Sequence, residues 1–407
     1  MSALDLPEEL SLERLQRAHE LSADAVVRTP ILTAGSLSRR LGGSLGLKAE
    51  NLQRTGSFKL RGALNKVRGS RDLAGVVAGS AGNHAQALAY AARIFGVPCE
   101  VYMPVDASVG KMAAVRAFGA EVHAVGESVE ESVEMARTRA EEAGFLFVHP
   151  FDDIDVIAGQ AGVGLELLED RPELGTVIVP IGGGGLISGV AAAIRQVRPG
   201  VRIVGVEAER CAPFAASLAA GAPVSVESVA TIADGIAVKR PGELTLPLIE
   251  QLVDEIVTVS ESAIAAAMAL LLERSKLVVE GAGAASLAAV TSGQVELDHE
   301  SDNLVVLSGG NVDIGLLAKI AARQESLEGR RLRLFTKVSD HPGGLARLLT
   351  TIAATKANLL TVEHVRESSR LDVHETAVEL TLETRGPEHA ERVREALRDA
   401  GYELGDL

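Results

Sequence analysis

The sequence predicts an α/β protein: two open parallel-sheet subdomains followed by a smaller ferredoxin-like βαββαβ domain. Three observations carry this. Short apolar runs alternate with helical patterns through the first three quarters of the chain, the alternation falls into two groups, and the order of elements changes near residue 325. Strands alternating with helices imply parallel sheets covered on both faces. Two groups of them imply two subdomains with a cleft between.

The elements follow in order. Gly75 to Ala78 reads as a buried strand, and Ala85 to Phe95 as an alanine-rich helix. Strands at Pro98 to Pro104, Glu121 to Val125 and Phe145 to His149 enclose helices at Val109 to Phe118 and Ser128 to Ala143. The pattern resumes with a strand at Thr176 to Pro180, a helix at Leu186 to Val197, and strands at Arg202 to Glu207 and Leu304 to Ser308. The polar stretch QESLEGRR then reads as a linker, placed at 323–331. Beyond it come a strand Arg331 to Val338, a helix Gly344 to Thr355, and strands Asn358 to Arg366 and His374 to Thr384. A helix Pro387 to Ala400 and a short strand Tyr402 to Leu404 complete βαββαβ. The expected division is a domain at 1–322, with a small subdomain at about 50–150 inserted in the large one, and a second domain at 332–407.

Composition narrows the function classes. The 407 residues are 47% hydrophobic and 23% charged, an ordinary globular profile, with a net charge of −15 that disfavours nucleic acid or an anionic membrane as partner. Cys99 and Cys211 match no metal or disulfide spacing. The N-terminus MSALDLPEEL is acidic where a signal peptide would be basic, and the longest apolar run, Ala263 to Leu272, is too short to span a bilayer. A reducing cytoplasm is the expected setting.

Four stretches could carry chemistry. Lys59 stands in RTGSFKLRGA with other cations beside it; a lysine so placed is either a solvated surface group or an imine-forming amine with a lowered pKa. In PIGGGGLISG, Pro180 to Gly189, a strand runs through four glycines into a helix start, which makes a phosphate cradle. The dinucleotide fingerprint fails there: Gly182 and Gly184 require a third glycine at Ile187, and Gly183 and Gly185 require one at Ser188. No Lys-Ser/Thr follows to make a P-loop. GSAGNHAQA, Gly79 to Ala87, joins another strand to a helix that Ser80 or Asn83 could cap, with His84 read as structural. VVLSGGNVD, Val305 to Asp313, ends a further strand. All four lie at carboxyl ends of expected strands, where open α/β sheets bind ligands. A lysine plus a phosphate cradle without a nucleotide motif points to pyridoxal 5′-phosphate.

Taken together, QRTGSFKLRGA, SAGNHAQA, PIGGGGLISG, TIADGIAVK and LSGGNVD resemble the threonine dehydratase (threonine ammonia-lyase) family of fold-type II, tryptophan synthase β-like, pyridoxal-phosphate enzymes. The segment from 332 resembles an ACT domain, a small effector-binding module. The resemblance implies that Lys59 carries the cofactor as an imine and then acts as base at the substrate Cα. It implies that Asn83 bonds the cofactor's 3′-oxygen, and that Gly182, Gly183, Gly184, Gly185 and Leu186 bind its phosphate. Gly235 also touches the cofactor, Phe58 packs behind the ring, and Ser308 faces the ring nitrogen. Ser57, Ser80, Ala81, Gly82, Asn83 and His84 would hold the amino-acid substrate. The implied reaction takes threonine to 2-oxobutanoate and ammonia, and serine to pyruvate.

Two positions depart from relatives within the resemblance. Serine racemases carry a serine where this chain has Ala81, so racemisation is expected to be weak. Metal-dependent relatives place an acid where this chain has Pro213; Glu207 and the Cys211 carbonyl remain, and no required divalent ion is expected. In the C-terminal domain Asp340, Gly343, Gly344 and Leu345, with Asn358, form an expected effector site for a branched-chain amino acid, and a homodimer or homotetramer is expected. The competing readings are a 3-hydroxyaspartate or phenylserine dehydratase, a serine racemase, and a catalytically silent amino-acid sensor.

Overall fold

The computed structural model describes residues 6–227, 229–365 and 374–405. The chain divides into two compact units, Met1–Val312 and Asp313–Leu407. Among the described residues no helix is long and apolar enough to cross a membrane.

The first unit contains β1 (Ile31–Thr33), β2 (Leu45–Lys48), β3 (Val76–Gly79), β4 (Cys99–Met103), β5 (Glu121–Ala124), β6 (Leu146–Phe147), β7 (Leu174–Pro180), β8 (Arg202–Ala208), β9 (Glu255–Val259) and β10 (Asp302–Val306). They form a large sheet of order β1-β2-β10-β7-β8-β9 and a small one of order β5-β4-β3-β6. Every pairing is parallel except β1 with β2. The small sheet lies between β2 and β7 in the chain, so it is an insertion in the large one. β3 (VVAG) is buried at every residue, as a central strand covered on both faces must be, whereas the edge strand β5 (EVHA) is buried at none.

Each strand expected in this unit has a counterpart within a few residues. β1, β2, β9 and the helices Ile154–Asp170 and Gly281–Thr291 add to the expected set. The large-sheet core gathers Ile157, Leu167, Val177, Val179, Ile187 and Val190; the small sheet packs Val76, Ala78, Leu88 and Val101 around its own core.

The second unit begins with a helix, Ile314–Leu327, capped by Asp313, whose Oδ1 accepts the Gly315 amide. Residues 323–327, expected in a linker, therefore continue that helix, and Gly329 at φ 65 follows it. β11 (Arg331–Ser339), the helix Gly344–Ala354, β12 (Asn358–Val365), β13 (Glu375–Glu383), the helix Pro387–Asp399 and β14 (Leu404–Gly405) follow. The sheet is antiparallel with order β12-β13-β11-β14. This is the βαββαβ arrangement expected, although the last strand starts later than Tyr402, and Arg366, the expected end of β12, lies outside the described residues. Leu332, Leu334 and Val338 point inward from β11 against Leu348, Ile352, Val393 and Leu397.

Candidate active site

The sheets of the first unit position four loops around one cavity of about 810 Å³. The loop after β3 brings Ser80, Ala81, Gly82, Asn83 and His84; the turn after β7 brings Gly182 to Leu186; the segment after β10 brings Ser308 and Asn311; Phe58 and Lys59 come from the start of the helix Lys59–Gly69. Gly235 lines it from a short turn at Asp234–Ile236. Backbone bonds stitch two of the loops together: the Phe58 amide donates to the Ser308 carbonyl at 3.1 Å and the Gly310 amide to the Gly56 carbonyl at 2.8 Å.

Lys59 stands half-buried on the cavity wall, with Nζ donating to the Pro150 carbonyl at 2.7 Å and lying 5.2 Å from the Phe58 ring centroid. Desolvation pushes its pKa down to about 8, and the Glu280 charge pulls part of the way back. The neighbouring cations, invoked from sequence, are not the cause. Arg54 is exposed and Arg61 turns away into the core.

Arg61 belongs to a fully buried ionic cluster. Its guanidinium meets Glu50 and Glu166, each at 2.8 Å, while Lys48 Nζ meets Glu166 at 2.5 Å and donates to the Thr29 carbonyl at 2.7 Å. Burial by itself favours a neutral Glu50, but Arg61 beside it outweighs burial and holds its carboxyl below the usual range. The cluster ties the helix that starts at Lys59 to β2 and to the helix Ile154–Asp170.

The glycine turn has the form a phosphate cradle needs. Gly184 sits at φ 89 and precedes the helix Gly185–Val197 with no side chain capping its amides. A Cβ on Gly183 would run into the Phe151 ring, and one on Gly184 would lie 2.8 Å from Phe214 and Thr245. The Gly183 carbonyl accepts from Thr245 Oγ1 at 2.7 Å, which anchors the turn from its outer side.

Neither Ser80 nor Asn83 caps the helix Asn83–Phe95. Ser80 Oγ accepts the Gly82 amide at 3.3 Å. Asn83 instead spans two side chains, with Oδ1 accepting from Asn311 and Nδ2 donating to Glu280, both at 2.7 Å. His84 is buried with Nε2 at 2.8 Å from the Val148 carbonyl; burial first, and Lys59 second, push it down to about 3, so it is neutral and structural. Ser57 is buried behind the wall, bridged to Gly309, and its Oγ has no hydrogen-bond partner.

Glu280 and Asn311 line the same cavity, beyond the residues that the sequence marks. The local signal for Glu280 is a carboxylate inside the otherwise apolar VVEGAGAASLAAV. Burial pushes Glu280 up to about 7. Glu207, at the end of β8, accepts the Phe214 and Ala215 amides at 2.9 and 2.8 Å and so caps the following helix. Two exposed ion pairs cross the cavity mouth: Lys111 to Asp234 at 2.8 Å and Lys239 to Glu130 at 2.9 Å.

In the second unit, Gly343 lies at φ 92 ahead of the helix Gly344–Ala354, again without a side-chain cap. Leu345 packs against that unit's core, and the Asp340 amide donates to the His374 carbonyl. Asn358 does not join them within one chain. It pairs with Glu383, which also pairs with Arg331, so Asn358 stands level with the start of β11 while Asp340 follows its end.

An uncapped glycine turn that admits no Cβ, a desolvated amine, an amide with an N–H to spare and an unpartnered buried hydroxyl fit pyridoxal phosphate: an anion anchor, an imine-forming nitrogen and polar partners. The chain belongs to the pyridoxal-phosphate dependent enzymes, whose family profile matches residues 23–309. It is 46% identical over 391 residues to the L-threonine ammonia-lyase of Geobacter sulfurreducens, covering 95% of this chain and 97% of that protein. It is 43% identical over 399 residues to the L-threonine ammonia-lyase of Thermotoga maritima, covering 97% and 99%. The crystal structure of a threonine deaminase from T.th. aligns with a TM-score of 0.71 at 44% identity, over 75% of this chain and 99% of that one.

The lowered Lys59 pKa predicts a pH dependence. An amine must lose its proton before it attacks a carbonyl, so attachment of pyridoxal phosphate to the apoprotein should speed up as pH rises from about 7 to about 9, with its midpoint near the value of about 8. Stopped-flow absorbance across that range checks it; a midpoint above about 10, the ordinary lysine value, would contradict the desolvated setting.

Proposed function

We propose that this chain deaminates L-threonine to 2-oxobutanoate and ammonia, and L-serine to pyruvate, in the cavity that Lys59 shares with the glycine turn. The observation that carries the reading is this juxtaposition: a desolvated amine and an uncapped, Cβ-free helix start lining one cavity. The activity printed for the two relatives matched over nearly the whole chain supports it. When bound, pyridoxal phosphate supplies an electrophilic carbon for the amine and a ring that acidifies the substrate Cα–H.

The chain's own residues do the rest. Lys59 Nζ would hold the cofactor through its imine-forming nitrogen and, once freed by the substrate amine, would take the Cα proton, while the β-hydroxyl gains a proton and leaves as water. The amides of Gly182 to Leu186 would fix the phosphate. Asn83 Nδ2 would donate to the ring oxygen. Ser308 would offer a neutral hydroxyl to the ring nitrogen, which would leave the ring a modest electron sink and favour prompt loss of the β-group. Phe58 would support the ring, and Gly235 would let the Asp234–Ile236 turn approach it. The loop Ser80–His84 would hold the substrate carboxylate, with Ser57, expected there as well, buried behind the wall instead of at the cavity surface, and Ala81 offers no group to exchange a proton on the second face. The acidic chain and its two buried free thiols support a cytoplasmic setting. The experiment is a substrate panel of threonine, serine, 3-hydroxyaspartate and phenylserine. Threonine should have the highest kcat/KM; preference for 3-hydroxyaspartate or phenylserine would replace this reading with the neighbouring dehydratase.

The second unit is read as an ACT domain that binds a branched-chain amino acid, isoleucine first, at the Asp340–Leu345 turn, with Asn358 contributed from a second copy. Gly343→Asp would place a Cβ at φ 92 and a carboxylate where the effector's own carboxylate would sit. The parent should show an effector-dependent change in apparent threonine affinity of about 5- to 150-fold, the usual range of allosteric coupling. The variant should lose most of that response and keep its uninhibited rate. Threonine saturation curves across isoleucine and valine series check it; a variant that responds like the parent moves the effector elsewhere.

A further inference from the structure

Asn83 is held by a chain of side chains with acceptors at both ends. Asn311 Nδ2 donates to the Thr55 carbonyl at 2.8 Å and to Asn83 Oδ1 at 2.7 Å. Asn83 Nδ2 donates in turn to Glu280 Oε1 at 2.7 Å. A backbone carbonyl can only accept, so the Asn311 amide has one orientation. Both its N–H hydrogens are then committed, and Asn83 can meet them only with its oxygen. The nitrogen of Asn83 must therefore face the other way, toward Glu280, and its second hydrogen has no acceptor among the described residues. Glu280 is itself fixed: its backbone amide donates to the Gly309 carbonyl at 3.1 Å, in the same strand-end segment that carries Ser308 and Asn311.

We propose that Asn311 and Glu280 are positioning residues that lock the Asn83 amide with its nitrogen toward the cavity. The lock matters because a ring oxygen of the cofactor is an acceptor when ionised; an Asn83 turned through about 180°, the flip that exchanges amide nitrogen and oxygen, would set its carbonyl oxygen against it. The proposal rests on the reading of Asn83 as the partner of that oxygen. It makes the tandem SGGN segment do two jobs: Ser308 faces the ring nitrogen while Asn311, at the other end of that segment, sets the donor for the ring oxygen.

The test is a double-mutant cycle read by cofactor affinity and absorption. The purified holoenzyme is resolved, each variant is titrated with pyridoxal phosphate, and the Kd and the visible absorption maximum are recorded. Asn311→Asp can no longer donate to Asn83, so Asn83 should turn its nitrogen toward the new carboxylate. The Kd should weaken at least about tenfold with a displaced absorption maximum, as expected for exchanging a hydrogen bond for a repulsive contact. Asn83→Ala should weaken it comparably, and the double variant should lie within about twofold of Asn83→Ala alone, because Asn311 acts through Asn83. Asn311→Ala runs beside Asn311→Asp, so misfolding of one leaves the cycle intact. Glu280→Gln keeps an acceptor for Asn83 and should retain the parent absorption maximum, whereas Glu280→Leu should not. Additive losses, or Asn311 variants that bind the cofactor like the parent while Asn83→Ala does not, overturn the proposal and leave the site reading standing. An Asn83→Ala protein with unchanged affinity and spectrum overturns both.

Discussion

Lys59→Ala is expected to lower threonine turnover by at least about 10⁴-fold, the upper range for loss of a positioned base, because in the proposed function this residue would also anchor the cofactor. The visible absorption of the loaded protein should disappear with it. The fold should survive. Lys59 opens its helix, and its ammonium makes one hydrogen bond to a carbonyl, so alanine removes a desolvated charge and breaks no direct ion pair among the described residues. Absorption spectroscopy, a threonine assay and far-UV circular dichroism on one preparation separate these effects. Unchanged colour and activity would move the chemistry to another amine; the cavity holds Lys111 and Lys239 as well.

The second large effect is expected at Arg61. Arg61→Met would leave Glu50 and Glu166 buried at zero exposure with only Lys48 to balance both. Breaking a buried ion network by removing one partner costs about 3–5 kcal/mol. Urea unfolding of the loaded protein should show a loss of that size, and activity should fall too, since the same helix presents Lys59. Glu166→Gln should also be costly, because both Glu166 oxygens accept, from Lys48 and Arg61, and the glutamine NH2 would set a donor against one of them while leaving two buried cations with Glu50 alone. A loss under about 1 kcal/mol for Arg61→Met, the level of a surface pair, would contradict the structural role given to the cluster.

The catalytic loops were legible in the sequence because each is contiguous and sits where a strand hands over to a helix. RTGSFK, SAGNH, GGGGL and LSGGN each place a small or glycine-rich run at such a junction, and the structure gathers all four around one cavity. Phe58, Lys59, Asn83, Gly182 to Leu186, Gly235 and Ser308 line it; Ser57 lies just behind its wall.

What escaped were features that depend on distant parts of the chain. The Lys48–Glu166 and Arg61–Glu166 pairs join residues 118 and 105 positions apart, and nothing local marks their partners. Asn311 and Asn83 are likewise far apart, so the lock on the amide shows only in three dimensions. The helix Ile154–Asp170 carries Gly159, Gly162 and Gly164, residues of low helix propensity. A Cβ on Gly159 would lie 2.6 Å from the Arg61 carbonyl, and one on Gly164 2.8 Å from that of Val190; the glycines are there because two neighbouring helices pack against the backbone. Gly281–Thr291 is buried along most of its length and so lacks the one-sided apolar pattern that marks a surface helix. In the second unit the order of elements was plain, but the register that puts Asn358 and Asp340 at opposite ends of the sheet is a matter of strand pairing.

The most direct measurement incubates the cofactor-loaded protein with L-threonine and quantifies 2-oxobutanoate, ammonia and the Cα epimer, D-allothreonine, together. 2-Oxobutanoate and ammonia should form in equal amounts with no accumulation of the epimer, because in the proposed function Lys59 works on one face of Cα and Ala81 offers nothing on the other. D-allothreonine as the main product, or ammonia without 2-oxobutanoate, would contradict it.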